Sequence, residues 1–119
     1  MAGSRAVLVL ISEDPRTSGR AFEAMRIALG VAAGENDVTI VLTGPAVHLL
    51  DADTDELVDG DDIAKFRESL RKLGIPFHVE GSALPADAAD WNVEGHAVVP
   101  VSADALAGLL AKAERFIVF

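Results

Sequence analysis

His78 and Glu80 stand two residues apart in the stretch IPFHVEGSAL, residues 75–84. The apolar start reads as a short strand, and successive side chains of a strand point to opposite sides. An imidazole and a carboxylate at this spacing therefore share one face. If they meet at the strand's end they form an acid–base pair, with the carboxylate raising the proton affinity of the histidine. The plainer alternative is a structural contact. Gly81 and Ser82 follow at once and complete the candidate binding turn. His48 follows another apolar run, 38–42, and can approach the same rim, whereas His96 reads as a loop residue. No two histidines stand at metal-binding spacing such as H-x-x-x-H.

The loop SEDPRTS, 12–18, adds Ser12 and Asp14 to the candidate ligand-binding set. It leads from an apolar run into a helical pattern, so its backbone N–H groups can face an anion. It has neither the glycines and lysine of a P-loop nor the G-x-G-x-x-G dinucleotide pattern. Glu13 and Asp14 would themselves repel phosphate, and the loop reads equally well as a helix-capping turn. Ser12 and Ser82 lack the G-x-S-x-G setting of a hydrolase nucleophile.

The acidic segment 51–62 invites comparison with a calcium loop. Asp51, Asp53, Asp55 and Asp59 match EF-hand ligand positions, but Glu56 stands where the loop needs glycine, and Asp62 where it needs a bidentate glutamate. A solvated acidic loop is the expectation, with no metal and no cofactor. The 119 residues hold no cysteine at all. Thiolate catalysis, a persulfide on the chain's own thiol, disulfides and cysteine-bound zinc are all excluded.

A net charge of -9 argues against nucleic-acid partners and against anionic membrane surfaces. The first apolar run, AVLVLI at 6–11, is too short for a secretory core or a bilayer span and is followed by Glu13, Asp14 and Arg16. It reads as a buried strand of a cytoplasmic protein.

The elements that must position these residues alternate regularly. Strands are expected at 6–11, 37–43, 76–79, 97–100 and 116–119. Between them, Phe22, Met25, Leu29 and Ala32 mark one amphipathic helix. Ile63, Phe66, Leu70 and Leu73 mark a second, capped by Asp62, and Leu106, Leu109 and Leu110 a third, capped by Ser102. Residues 46–50 read as a short helical turn and 84–95 as loop. This pattern predicts one domain over 1–119 with an α/β fold: three α/β/α layers around a mainly parallel sheet of about five strands. Ligands of such sheets bind beyond the carboxyl ends of the strands, which is where the candidates lie.

Several segments together resemble the DsrE/DsrF-like family of sulfur-relay proteins, with its YchN and TusC/TusD types. They are Asp14-Pro15 and Ser18, the helix 20–30, the strand and turn 37–50, the segments 73–79 and 81–84, and the closing 113–119. The resemblance implies a YchN-like fold and assembly into trimers or hexamers. In sulfur-carrying members a cysteine follows the third strand in a context like V-C-G-x-x-L. Here that stretch is Val79-Glu80-Gly81-Ser82-Ala83-Leu84, and Glu80 occupies the apparent cysteine position. The resemblance thus implies a non-catalytic homo-oligomeric binding or accessory protein, linked to sulfur transfer through a cysteine-bearing partner of DsrE or TusD type. The alternative is a small-molecule-binding protein or enzyme that uses a Glu80/His78 rim site.

Overall fold

The apolar runs do become strands, and the helical periodicities become helices packed on them. The computed structural model describes residues 5–86 and 90–119; of the expected loop 84–95, residues 87–89 lie outside the described residues. The strands are β1 (Ala6–Ile11), β2 (Asp37–Leu42), β3 (Phe77–Glu80), β4 (Val98–Val101) and β5 (Arg115–Val118), and the helices are α1 (Arg20–Ala33), α2 (Gly60–Lys72) and α3 (Ala103–Lys112). All pairings are parallel, in the order β4-β3-β2-β1-β5. Right-handed crossovers dictate where the helices go. The chain steps one way from β1 to β3, so α1 and α2 share a face. It reverses from β4 to β5, so α3 falls on the other.

The two faces are packed very differently. On the first, Val9, Ile11, Ile40, Leu42, Phe77 and Val79 meet Ala21, Ala24, Met25 and Ala28 of α1 and Ile63 and Leu70 of α2. The alanines let α1 approach the sheet closely, and the Phe22 and Phe66 rings stack at 5.6 Å between the two helices. Burying each large aliphatic side chain here contributes about 1.5–3 kcal/mol. On the second face the strand register aligns Val118, Leu10, Val41, His78 and Val99 in one row. Only α3 covers it, and none of the residues of α3 is buried. Val99, Phe116 and Val118 remain 40%, 58% and 56% exposed.

Helix ends follow local chemistry with one correction. The Ser102 hydroxyl accepts the Ala105 N–H, as expected of a cap. At α1, Gly19 is the residue before the helix, and Ser18 Oγ accepts the Arg20 N–H at 3.1 Å. For α2 the expected cap Asp62 lies inside the first turn. The helix starts earlier, at Gly60, behind Asp59 in a left-handed conformation with φ 57°. The reason is packing: a Cβ on Gly60 would fall 1.8 Å from the Thr54 carbonyl oxygen. The chain crosses itself there, and only glycine permits the contact. The turn that follows β2 is a 3-10 helix, Gly44–Leu50, entered through Gly44 at φ +53°. It buries Ala46, Val47, Leu49 and Leu50 and so closes the carboxyl end of the first-face core.

The crossing at Gly60 makes a stability prediction. The substitution Gly60→Ala forces the Thr54 backbone aside and lowers unfolding free energy by at least about 2 kcal/mol, readable as a shifted midpoint in urea. An unchanged midpoint would show that the crossing does not constrain the helix start.

Candidate functional site

The carboxyl rim of the sheet gathers the loops expected to carry a site, but it divides the candidates into three groups. At one end, Ser12 is tied to the last residue: its N–H and its Oγ both donate to the Phe119 carbonyl, at 2.7 and 3.1 Å. Ser12 acts as a fastening between β1 and the end of β5.

In the middle, Asp14 and His48 come together. The Arg16 guanidinium donates to both Asp14 oxygens, from Nε at 3.0 Å and Nη2 at 2.9 Å. This hydrogen bond, opposed by partial burial, holds the Asp14 carboxyl below its ordinary value, and the charge of nearby His48 acts in the same direction. Asp14 in turn raises the Arg16 pKa, with Asp51 assisting. His48 Nδ1 lies 3.0 Å from both oxygens of Asp51. Asp14, Arg16, His48 and Asp51 thus form one charge-linked unit across the β1 and β2 loops. Beside it opens a cleft of about 490 Å³, lined by His48, Asp51, Asp53, Glu56, Asp90 and Trp91 among others. The indole Nε1 donates to the Val47 carbonyl at 2.7 Å, which fixes the Trp91 ring as a wall.

The third group is the β3 turn. Glu80 ends β3 and Gly81-Ser82-Ala83 forms a short 3-10 turn. The Ser82 hydroxyl donates to Glu80 Oε1. His78 and Glu80 do share the second sheet face, yet no hydrogen bond or ion pair joins them among the described residues. His78 Nδ1 is buried without a partner. Burial among the valines of its row lowers the His78 pKa from 6.5, with the nearby Ile40 backbone acting in the opposite direction. That direction is the reverse of what a carboxylate partner would impose. The pair is a neighbourly placement on one strand without the coupling that acid–base work requires.

With this geometry in place, comparison with known proteins is decisive for the family. The model of the DsrE/DsrF-like family matches residues 5–119. The chain belongs to the DsrE/DsrF-like family. Among solved structures, the ychN protein from E. coli superposes with a TM-score of 0.75 over 97% of this chain and 99% of that one, at 18% identity. The five-stranded α/β architecture is therefore a YchN-like fold. No curated protein matches the chain. The family match spans nearly the whole chain, and the sequence contains no cysteine.

A second polar centre escaped the sequence reading. Arg67, 2% exposed, donates from Nη1 to the Leu49 and Asp51 carbonyls at 3.1 and 2.8 Å, and from Nη2 to Glu94 Oε1 at 2.6 Å. Arg71 Nη2 donates to the Glu94 carbonyl at 2.6 Å. His96, expected as a plain loop residue, is 5% exposed and packs edge-on against Phe77. Burial lowers its pKa, and the charges of Arg71 and Arg67 lower it further. One signal was present in the sequence: Arg67 is spaced from Ile63 and Leu70 as an apolar residue should be, four after the first and three before the second. A charge on the buried stripe of a helix needs fixed partners.

Two measurements follow. Replacing Arg67 by Met leaves the Leu49 and Asp51 carbonyls without a donor and costs about 2–4 kcal/mol, whereas Glu94→Gln, at a half-exposed group, costs much less. Equal losses in the two variants would contradict the ranking. For His78 the folded pKa lies below 6.5, so below that pH the unfolded chain takes up a proton that the folded chain refuses. Stability is full above pH 6.5 and falls as pH drops below it. His78→Leu should flatten that fall by up to about 1.4 kcal/mol per pH unit, as seen in denaturation midpoints collected across pH.

Proposed function

We propose that this chain is a non-catalytic DsrE-like accessory or binding module that works as a homo-oligomer, a trimer or hexamer. Where it takes part in sulfur transfer, a cysteine-bearing partner of DsrE or TusD type supplies the thiol. The observation that carries the reading is the complete family scaffold without any cysteine. Sulfane sulfur is carried on a thiolate, and Glu80 at the end of β3 offers only a carboxylate. Its oxygen is already engaged by Ser82.

The second sheet face supports assembly. Phe116 and Val118 stand more than half exposed on an edge strand, and Val99 is exposed on the opposite edge. A long apolar edge invites pairing with another chain unless something covers it. Another copy of the chain meets that need, through the same face across a two-fold axis of a hexamer or through a different patch in a trimeric ring. We place the protein in the cytoplasm, where a chain free of disulfides is at home; among the described residues no helix is long and apolar enough to cross a membrane.

A second reading, a small-molecule site on the rim, is supported by the cleft beside His48. It draws that site away from the Glu80/His78 pair and toward the His48–Asp51 unit. Its acidic lining and the Trp91 wall suit a cationic ligand.

Native mass spectrometry tests assembly: the wild-type chain should appear as a trimer or hexamer, and Phe116→Asp should shift it toward monomer. A wild-type chain that stays monomeric at micromolar concentration would overturn the assembly reading. Glu80→Cys tests the rim. If the surrounding site persists, that variant gains the mass of one sulfur atom from a persulfide donor and the wild type gains none.

A further inference from the structure

The strongest unassigned cluster lies away from the rim, between α2 and the segment that leads into β4. Glu68, on the exposed side of α2, faces Glu94 and His96, and one ligand-capable atom of each lies within 4.8 Å of the other two. The histidine is the telling member. It is 5% exposed, and its Nε2 is buried without any hydrogen-bond partner. That nitrogen lies 3.9 Å from Glu94 Oε1, too far for a hydrogen bond, and a small rotation of Glu94 would bring the two to the roughly 3.3 Å that separates ligands of one tetrahedral ion. A buried polar atom left unpaired carries a desolvation cost unless something occupies its open side.

We propose that Glu68, Glu94 and His96 form a binding site for a divalent transition ion of the zinc class. An imidazole with two carboxylates suits zinc, which takes three protein ligands and leaves one position to water. The ring is held in place by burial and by its edge contact with Phe77. The two glutamates are half-exposed or more and can close on an ion by side-chain rotation. Glu94 is steadied from behind: Arg67 takes its Oε1, and Arg71 takes its backbone carbonyl. Such outer contacts orient metal ligands. The same two guanidiniums oppose the charge of an added cation, so the site is weaker than a closed structural zinc centre.

The ion would join the middle of α2 to the entry of β4, an edge strand of the sheet. This role differs from the acidic loop 51–62, which offers only oxygen ligands and would prefer calcium or magnesium. The distinction shapes the experiment. Zinc is titrated into the full chain by calorimetry in excess magnesium, which occupies oxygen-only sites. Cobalt serves as a spectroscopic substitute, and thermal unfolding is followed in parallel.

One zinc ion per chain is expected, with a rise in unfolding temperature. His96→Gln and Glu68→Gln should each weaken binding by at least about tenfold and abolish the rise. Glu68 is exposed, so its variant keeps the fold and separates ligand loss from structural damage. Visible cobalt bands should appear with the wild-type chain and disappear with Glu68→Gln. Zinc affinity unchanged in Glu68→Gln, or no zinc binding by the wild type under these conditions, would overturn the site.

Discussion

A single buried guanidinium organises the side of the molecule on which function is built. Arg67 projects from α2 beneath the 3-10 turn Gly44–Leu50, donates to the Leu49 and Asp51 carbonyls, and reaches Glu94 across the loop that precedes β4. A charge this deep needs fixed partners. Three of the five N–H donors have them, and Nε has none. Because the partners come from two separated segments, the arginine fixes these to one another and to α2. Asp51 is thereby held for His48, and the bridge between Asp51 and Trp91 closes the adjoining cleft. The rim's central charge unit and the Glu68–Glu94–His96 cluster both depend on this one side chain.

The second organising fact is the inequality of the sheet's faces. Two helices cover one, and a single short helix covers the other: of the three steps in one direction only β1–β2 and β2–β3 carry an α-helix among the described residues, and the single step back carries α3. The outcome is a row of apolar residues with exposed valines at both ends and a histidine inside it. His78 is therefore in an environment shaped by packing, and its lowered proton affinity records that environment.

Glu80 gains a clearer meaning in this setting. The turn after β3 keeps the backbone form of a binding turn, and its carboxylate is satisfied locally by Ser82. Along the same rim Asp14 pairs with Arg16, and His48 with Asp51.

Much of the fold was legible because it rests on local periodicity. Continuous runs such as 6–11 could only be strands buried on both sides, and the stripe through Ile63 and Leu70 could only be a helix face. The family resemblance was legible in short motifs such as 37–50, 73–79 and 113–119, and cysteine content excluded the thiol chemistry without any coordinates. The start of α2 was misjudged because Asp62 satisfied the local rule for a cap, while the true start obeys a distant contact between Gly60 and Thr54. The Arg67 centre and the His96 cluster were missed for a related reason: α2 meets partners 16, 18 and 27 residues away from Arg67 in the chain, and no spacing rule joins them. The sequence by itself determined the alternation of strands and helices, the family, and the absence of a thiol, since these depend on residue type and near neighbours. Only the tertiary structure decided which polar groups meet, that His78 and Glu80 stay uncoupled, and which sheet face is left open, because those follow from crossover direction and long-range packing.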